Sequence, residues 1–326
     1  MKKTIDWLAA LQGFSMLLVV IGHISLTNVP RDPSTPIATG IETAIYTFHM
    51  PLFIFISGWL FFYTCIRKEK SYRDVLVSKF KRLAIPFLAF TLVTTLLKIA
   101  FPQLMHRVVD VEEIINTFVL FSSNPLGEMW FLVVLFELML LYPLYKFVLK
   151  SKTVAVIALL IGVLLNKIAP SNLLYFQIYR VCYMLPFFIV GMMCCKYEWQ
   201  KYLSNIGALV SLAVLFTVCN VLDLLPPAFE IFTVFVGILF SLSLCMMLSK
   251  PSPWLFNSFR DYTFQIFLMG IFFQMAIRWI YVRIGNDSLF IPMWFLSVLV
   301  GVYVPTTIAK LIKKLAPKYI CMCFGI

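Results

Sequence analysis

Ten long apolar segments run along the 326-residue sequence, each close to the ~20 residues that a helix needs to cross a bilayer. Inside a bilayer the backbone polar groups have no water to bond, so such segments fold as helices. Hydrophobic residues make up 61% of the chain and charged residues only 13%, against about a quarter charged in a typical soluble domain. We therefore predict an all-α fold, a polytopic integral membrane bundle of about ten transmembrane helices that forms one domain over residues 1–326. The predicted spans are 8–26, 45–64, 83–101, 128–149, 153–169, 176–195, 205–222, 229–248, 258–282 and 290–315.

Lysine and arginine are distributed unevenly over the connections between these spans. Twenty of them fall on one side of the membrane and seven on the other. Because positive residues accumulate on the cytoplasmic side, we expect both termini in the cytoplasm and a multi-pass protein of the cell (inner or plasma) membrane. The net charge of +12 is then mainly a topology signal and indicates no nucleic-acid partner. The first apolar segment is too long for a signal peptide and lacks a small-residue cleavage pattern, so we expect it to stay as an anchor.

Three connections are long enough to have structure of their own. Residues 27–44 contain three prolines among residues 30–36, which favour an extended loop. Residues 110–120 begin with acidic side chains and predict a short amphipathic helix at the outer interface. The longest inner connection, 65–82, is strongly basic.

His23 is the most informative ionisable residue, because it lies inside the first predicted span. Such a side chain is costly in a bilayer, so it usually faces a protein interior or a wet cavity and has a function there. Histidine also exchanges protons readily near neutral pH. Gln12 lies almost three helical turns earlier, so both side chains share one face about 16 Å apart along the axis. We interpret His23 as a candidate general base; the alternative is a packing histidine that bonds a neighbouring carbonyl.

The second span contains a further histidine, His49, two residues before Pro51. Proline suits the first turn of a helix, where its missing N–H costs nothing, so we expect the helix to begin near Pro51 with His49 at the outer interface. His49 is then either an ordinary interfacial histidine or a second polar group over the reaction site. Ser57 and Gly58 indicate small-residue helix packing rather than a nucleophile.

Glu137 and Arg180 are the other charged candidates within the membrane. The Glu137 carboxylate can orient His23 and stabilise its imidazolium form, as in hydrolytic triads, or can pair with a hydroxyl or an arginine. Arg180 either extends to the lipid headgroups or turns inward to bond the hydroxyls or the oxyanion of a substrate.

The basic run that contains Lys79 and Arg82 lies at the cytoplasmic end of the third predicted span. Such clusters commonly bind anionic lipid, and an alternative is a clamp for the phosphates of a donor such as coenzyme A. From charge alone lipid is favoured. The eight cysteines follow no disulfide or zinc spacing, so we expect no metal site.

Taken together, these segments resemble the membrane-bound acyltransferase-3 family, and specifically its fucose 4-O-acetylase-like branch. The order and spacing of short motifs carry the resemblance over most of the chain. The motifs are residues 5–8 with 22–23, residues 48–53 with 57–58, Lys79-x-x-Arg82, residues 130–132, and residues 180–191.

The resemblance implies transfer of an acyl group, usually acetyl from acetyl-CoA, to a sugar hydroxyl of a surface glycan or its lipid-linked precursor. By the same resemblance, His23 matches the essential membrane histidine, while Lys79 and Arg82 match the basic pair that meets the coenzyme A phosphates. The sequence departs from the family at Gln12, where an arginine or lysine is usual. It also lacks the histidine that commonly follows the pattern at residues 261–268.

Two functions of different classes follow. The first is a membrane O-acyltransferase that uses acetyl-CoA as a substrate and binds no permanent cofactor. In it His23 is the base and Glu137 its partner; the donor-binding residues are Lys79, Arg82 and Gln12, and the acceptor-binding residues are His49, Trp130 and Arg180. The second is a transporter or exporter of a glycan or small molecule, which fits the many spans and intramembrane polar groups. The sequence shows no paired inverted repeats, which many transporters have.

Overall fold

A computed structural model describes residues 5–24, 26, 36–100, 110–122, 129–221 and 230–326. Fourteen α-helices and no strand occur among these residues. The helices are Asp6–Gly22 (α1), Pro36–Phe61 (α2), Tyr72–Lys79 (α3), Ile85–Ala100 (α4), Val111–Phe118 (α5), Trp130–Leu140 (α6), Tyr142–Val148 (α7), Lys152–Ile168 (α8), Ile178–Tyr197 (α9), Ile206–Val221 (α10), Glu230–Ser249 (α11), Thr263–Ile284 (α12), Phe290–Leu315 (α13) and Lys318–Cys323 (α14).

Helices lie at all ten predicted spans, which confirms the all-α membrane fold. Among the described residues, six helical stretches are long and apolar enough to cross a membrane, and seven if the bent pair α6–α7 forms one span. The helices Asp6–Gly22 and Ile206–Asn220 are apolar but shorter. The number of spans and the side on which the termini lie therefore stay predictions.

The second helix begins much earlier than predicted. α2 starts at Pro36, inside the segment expected to be an extended loop, and Pro51 lies within the helix rather than in its first turn. Proline fits at position 36 because the first N–H of a helix has no partner to lose. At position 51 it removes one backbone hydrogen bond, a loss that membrane helices tolerate because neighbouring groups and local adjustments of the helix can satisfy the freed carbonyl.

The fourth predicted span, 128–149, is broken into two helices. α6 and α7 are bent by 55° relative to each other, and Pro143 lies at the start of α7. The nitrogen of Pro143 carries no hydrogen to donate to the Met139 carbonyl, and its ring clashes with the preceding turn. Helix α6 therefore ends at Leu140.

Most of the basic inner connection, 65–82, is helical, apart from residues 67–71. A π-helical turn, Phe62–Ile66, follows α2, and α3 continues through a second π-helical turn, Phe80–Ala84, into α4. A short helix is confirmed at residues 111–118 as α5, and the Asp110 side chain caps it by accepting a hydrogen bond from the Glu113 N–H at 2.7 Å. Its place at the outer interface stays a prediction.

The described chain divides into two compact units. The first comprises Met1–Ile56 and Glu198–Ala316. Within it α12 packs against α13, and α1 packs against α11 and α12. The buried amide of Gln274 donates to the Val20 carbonyl at 2.8 Å, which ties α12 to the last turn of α1.

The second unit comprises Ser57–Tyr197 and Pro317–Ile326. Within it α9 packs against both α6 and α8. The end of α2 also approaches α9 closely, because a Cβ atom on Gly58 would lie only 3.0 Å from the Phe188 carbonyl carbon. This contact agrees with the helix packing predicted from Ser57 and Gly58. The division into units does not test the single-domain prediction.

Candidate functional site

His23 is the first residue beyond α1. Helix α1 ends at Gly22, and His23 forms its C-cap with φ −93° and ψ 4°. Its ring folds back on the last turn, with Nδ1 2.7 Å from the Val19 carbonyl oxygen. Because a carbonyl oxygen only accepts hydrogen bonds, Nδ1 carries the proton. In the neutral ring, Nε2 is therefore the nitrogen with the lone pair, the form that a general base requires.

Tyr46, on the neighbouring helix α2, bonds the carboxyl end of α1. Its hydroxyl donates to the Gly22 carbonyl at 2.7 Å. The last carbonyls of a helix have no partner within the helix, so this bond satisfies one of them. It also places the Tyr46 ring 6.1 Å from the His23 ring, centroid to centroid.

His49 lies against the same tyrosine. It is 3% exposed, and its Nδ1 lies 2.9 Å from the Ile45 carbonyl oxygen, so it has the same tautomer as His23. The His49 ring centroid is 5.8 Å from that of His23 and 5.1 Å from that of Tyr46. We call His23, Tyr46 and His49 the histidine cluster. Two predicted site residues are thus brought together, and His49 lies within a helix rather than before one.

Gln12 lies apart from the histidine cluster. It is half-buried on α1, about 16 Å from His23 along the helix axis at 1.5 Å per residue. The Ser15 hydroxyl donates to its backbone carbonyl at 3.0 Å. Gln12 therefore lies near the middle of α1, whereas His23 caps its carboxyl end.

Lys79 and Arg82 lie in the second unit, where α3 joins the following π-helical turn. The Lys79 ammonium lies over the Phe61 ring, 5.5 Å from its centroid. It interacts electrostatically with the Cys65 thiol, which favours its charge, and with Arg82 and Lys70, which oppose it. Neither Lys79 nor Arg82 forms an ion pair within the part of the chain that the structure describes. Clustered cations of this kind favour an anionic ligand, because a bound anion relieves their mutual repulsion.

Trp130 and Arg180 also belong to the second unit and are in contact. The Arg180 guanidinium carbon lies 5.0 Å from the centroid of the Trp130 ring, a cation–π arrangement. One of its nitrogens, Nη1, donates to the side-chain oxygen of Gln177. The pair is thus positioned by a third residue that the sequence did not indicate.

Glu137 is half-buried on α6, two turns after Trp130. It lies in the second unit while His23 lies in the first, so their predicted pairing stays a prediction. The structure does show that the Nδ1 proton of His23, which a triad carboxylate would accept, is directed at the Val19 carbonyl.

The structure adds two residues to the predicted set. Tyr46 precedes His49 by three residues, so helical spacing could have placed both on one face. Gln177 gives no sequence signal, because its role depends on a contact between distant segments. Among the described residues, no group of three or more His, Cys, Asp or Glu side chains could hold a metal ion.

Comparison with known proteins relates the chain to a protein family. A family model described as an acyltransferase domain, of the acyltransferase-3 type, matches residues 5–310. Searches of curated proteins and of solved structures found no match.

Proposed function

The chain belongs to the acyltransferase-3 family, and from this membership we propose that it is an integral-membrane O-acetyltransferase. It moves an acetyl group from acetyl-CoA to a sugar hydroxyl of a surface glycan or of a lipid-linked precursor. Within the family we place it in the fucose 4-O-acetylase-like branch, and in the cell (inner or plasma) membrane. The family match favours this activity over transport.

The hydrogen bond between His23 and Val19 carries the mechanistic part of the proposal. It holds Nδ1–H on a backbone carbonyl, so that Nε2 presents the lone pair that accepts a proton. A catalytic carboxylate would normally fix this tautomer. Glu137 therefore enters the proposal as a group that stabilises the positive charge of the ring after proton transfer.

His23 alone accounts for both proton transfers in the proposed reaction. Nε2 takes the proton of the acceptor hydroxyl as its oxygen attacks the thioester carbonyl carbon, and a tetrahedral intermediate forms. The intermediate collapses by breaking the carbon–sulfur bond, and the imidazolium returns the proton to the departing thiolate. The products are the acetylated sugar and free coenzyme A.

Lys79 and Arg82 bind the phosphates of coenzyme A in this proposal. Their clustered positive charge supports the assignment, because phosphate oxygens accept charge-assisted hydrogen bonds from both side chains. Gln12, where the family usually has a cation, contributes an uncharged hydrogen-bonding group at the donor end. At the acceptor end we place His49, Trp130 and Arg180.

The proposal is tested by replacing His23 with glutamine. Glutamine keeps a polar side chain of similar reach but cannot carry a proton in this way, so we expect acetyl transfer to fall by about 10²- to 10⁴-fold. Host cells that lack the protein are supplied with each variant, and mass spectrometry then measures the acetyl increment on their surface glycans. In proteoliposomes, transfer of the label from acetyl-CoA radiolabelled in its acetyl group is measured with a neutral acceptor probe, methyl α-L-fucoside, and with two acidic ones, methyl glucuronide and glucose 1-phosphate.

His106→Gln, which changes the third histidine of the sequence, is the matched control and should leave acetylation unchanged. Wild-type acetylation by His23→Gln at equal abundance in the membrane would refute the assigned role. Movement of the glycan across liposomes without consumption of acetyl-CoA would instead establish the transporter.

A further inference from the structure

Three of the four described residues in the second unit that combine a side chain with a left-handed backbone (positive φ) lie close to Arg180 in space or in sequence; the fourth, Glu69, lies elsewhere. The three are Phe121 (φ 50°), Phe176 (φ 52°) and Gln177 (φ 55°). A residue with a Cβ atom adopts this region at a steric cost, and such strain persists only where surrounding contacts impose it. The three residues are neighbours in space, since the Phe121 and Phe176 rings lie 5.9 Å apart.

Hydrogen bonds join the two strained segments. The Phe176 N–H donates to the Leu120 carbonyl at 2.7 Å, and the side-chain Nε2 of Gln177 donates to the Phe121 carbonyl. Gln177 is completely buried. Because a carbonyl can only accept, the Gln177 amide has a single consistent orientation, with its oxygen directed at Arg180.

Gln177 thereby selects which edge of the Arg180 guanidinium is left for a ligand. Gln177 bonds Nη1, and Arg180 makes no other hydrogen bond or ion pair with the described residues. The remaining edge, formed by Nε and Nη2, can donate two parallel hydrogen bonds to one carboxylate or phosphate.

The surroundings of Arg180 favour an anion at that edge. Arg180 is half-buried against Trp130, and a partly desolvated charge is stabilised when an opposite charge binds beside it. Arg180 is also the third residue of α9, and the first turn of a helix attracts negative charge.

We propose that Arg180, positioned by Gln177 and Trp130, binds an oxyanion carried by the acceptor, either a carboxylate or a phosphate on or next to the sugar. The acceptor is then an acidic glycan unit or a sugar phosphate rather than a neutral sugar. The inference rests on the proposed function only in treating the ligand as the acetyl acceptor. Gln177 is a positioning residue, and Arg180 makes the contact.

The test compares binding of probes that differ in charge. The full-length protein is placed in nanodiscs of phosphatidylcholine. Saturation-transfer NMR titrations then measure the affinity for three probes: methyl glucoside, which is neutral, methyl glucuronide, which carries a carboxylate, and glucose 1-phosphate, which carries a phosphate. A charge-assisted pair predicts that one charged probe binds at least roughly tenfold more tightly than the neutral probe. Arg180→Lys, which keeps the charge but loses the two-pronged edge, should remove most of this preference.

Gln177→Asn tests the positioning role. Asparagine tolerates a left-handed backbone, so the fold should survive, but its shorter amide cannot reach both Phe121 and Arg180. We expect the preference for the charged probe to fall at least fivefold while binding of the neutral probe is unchanged. Arg283→Lys is the matched control, because Arg283 also lies over a tryptophan, at 5.1 Å from the Trp279 ring, but at an exposed position.

Equal binding of charged and neutral probes, or no effect of Arg180→Lys, would overturn the inference. So would loss of charged-probe binding on adding phosphatidylglycerol, since a lipid headgroup would then be the oxyanion. Charged-probe binding without any acetyl transfer would overturn the proposed function and leave the oxyanion site standing. Acetyl transfer without any preference for charged acceptors would overturn the oxyanion site and leave the proposed function standing.

Discussion

Replacing Gly58 with alanine measures how closely the end of α2 approaches α9. The new Cβ atom would lie 3.0 Å from the carbonyl carbon and 3.1 Å from the Cα of Phe188, and closer still to its carbonyl oxygen. Ordinary contacts begin at 3.4 Å, so the two helices must separate by at least 0.4 Å, the difference between 3.4 Å and 3.0 Å. The opposing atoms are backbone, so no side-chain rotation can relieve the overlap.

The expected cost follows from two opposing effects. Overpacking a tight contact costs about 1–3 kcal/mol, and a backbone contact favours the upper end of that range. Alanine regains about 1 kcal/mol from its better helix propensity. The net loss is then about 2 kcal/mol, which corresponds to a fall in Tm of roughly 4–8 °C.

Gly162→Ala is the matched control on α8, which packs against the same helix. Its Cβ atom would lie 3.5 Å from the Pro186 Cα and 3.6 Å from the Ile189 Cδ1, both ordinary contacts. The propensity gain is unopposed there, so we expect a rise in Tm of roughly 2–4 °C. Thermal denaturation in detergent, followed by size-exclusion chromatography, measures both variants. A Gly58→Ala protein that melts at or above the wild-type temperature would refute the close approach of the helices.

Two further predictions concern the histidine cluster and the basic pair. Tyr46→Phe removes the hydrogen bond to the Gly22 carbonyl at the end of α1 but keeps the ring, so the free energy of unfolding should fall by about 0.5–1.5 kcal/mol. The kcat for acetyl transfer should fall far less than in His23→Gln. An equal loss of kcat in the two variants would make Tyr46 a reacting group. Lys79→Gln should raise KM for acetyl-CoA roughly tenfold or more through loss of a charge-assisted phosphate contact, most strongly at low salt. Lys81→Gln, an exposed neighbour, is its control, and equal effects of the two changes would indicate general attraction to the basic surface instead.

Much of the fold could be predicted from the sequence, because long apolar segments leave the backbone no alternative to helices. α13 occupies residues 290–315 as predicted, and the Asp110 cap of α5 was indicated by its acidic first turn. The errors arose at prolines. Pro51 was interpreted as a helix start although it lies within α2, whereas Pro143, which breaks the fourth span, was not interpreted.

The contacts within the site were harder to predict, because they join residues that are distant in the sequence. His23 stood out through the cost of an ionisable ring in a bilayer, yet its distance to His49 depends on how α1 and α2 meet. Gln177 could not be found at all, since a left-handed conformation at a residue other than glycine has no sequence signature. Local patterns thus identified the chemical groups, and tertiary packing determined which of them are neighbours.

The main-chain anchoring of the His23 ring makes its orientation insensitive to most substitutions nearby. A side chain that steers a base can be lost in one mutation, whereas every amino acid at position 19 supplies the same carbonyl. The anchor instead depends on the winding of the final turn of α1, because Val19 accepts from both the ring and the backbone N–H of His23. Fraying of that single turn would therefore release the ring, and anything that tightens or loosens it acts on proton transfer without contacting the imidazole.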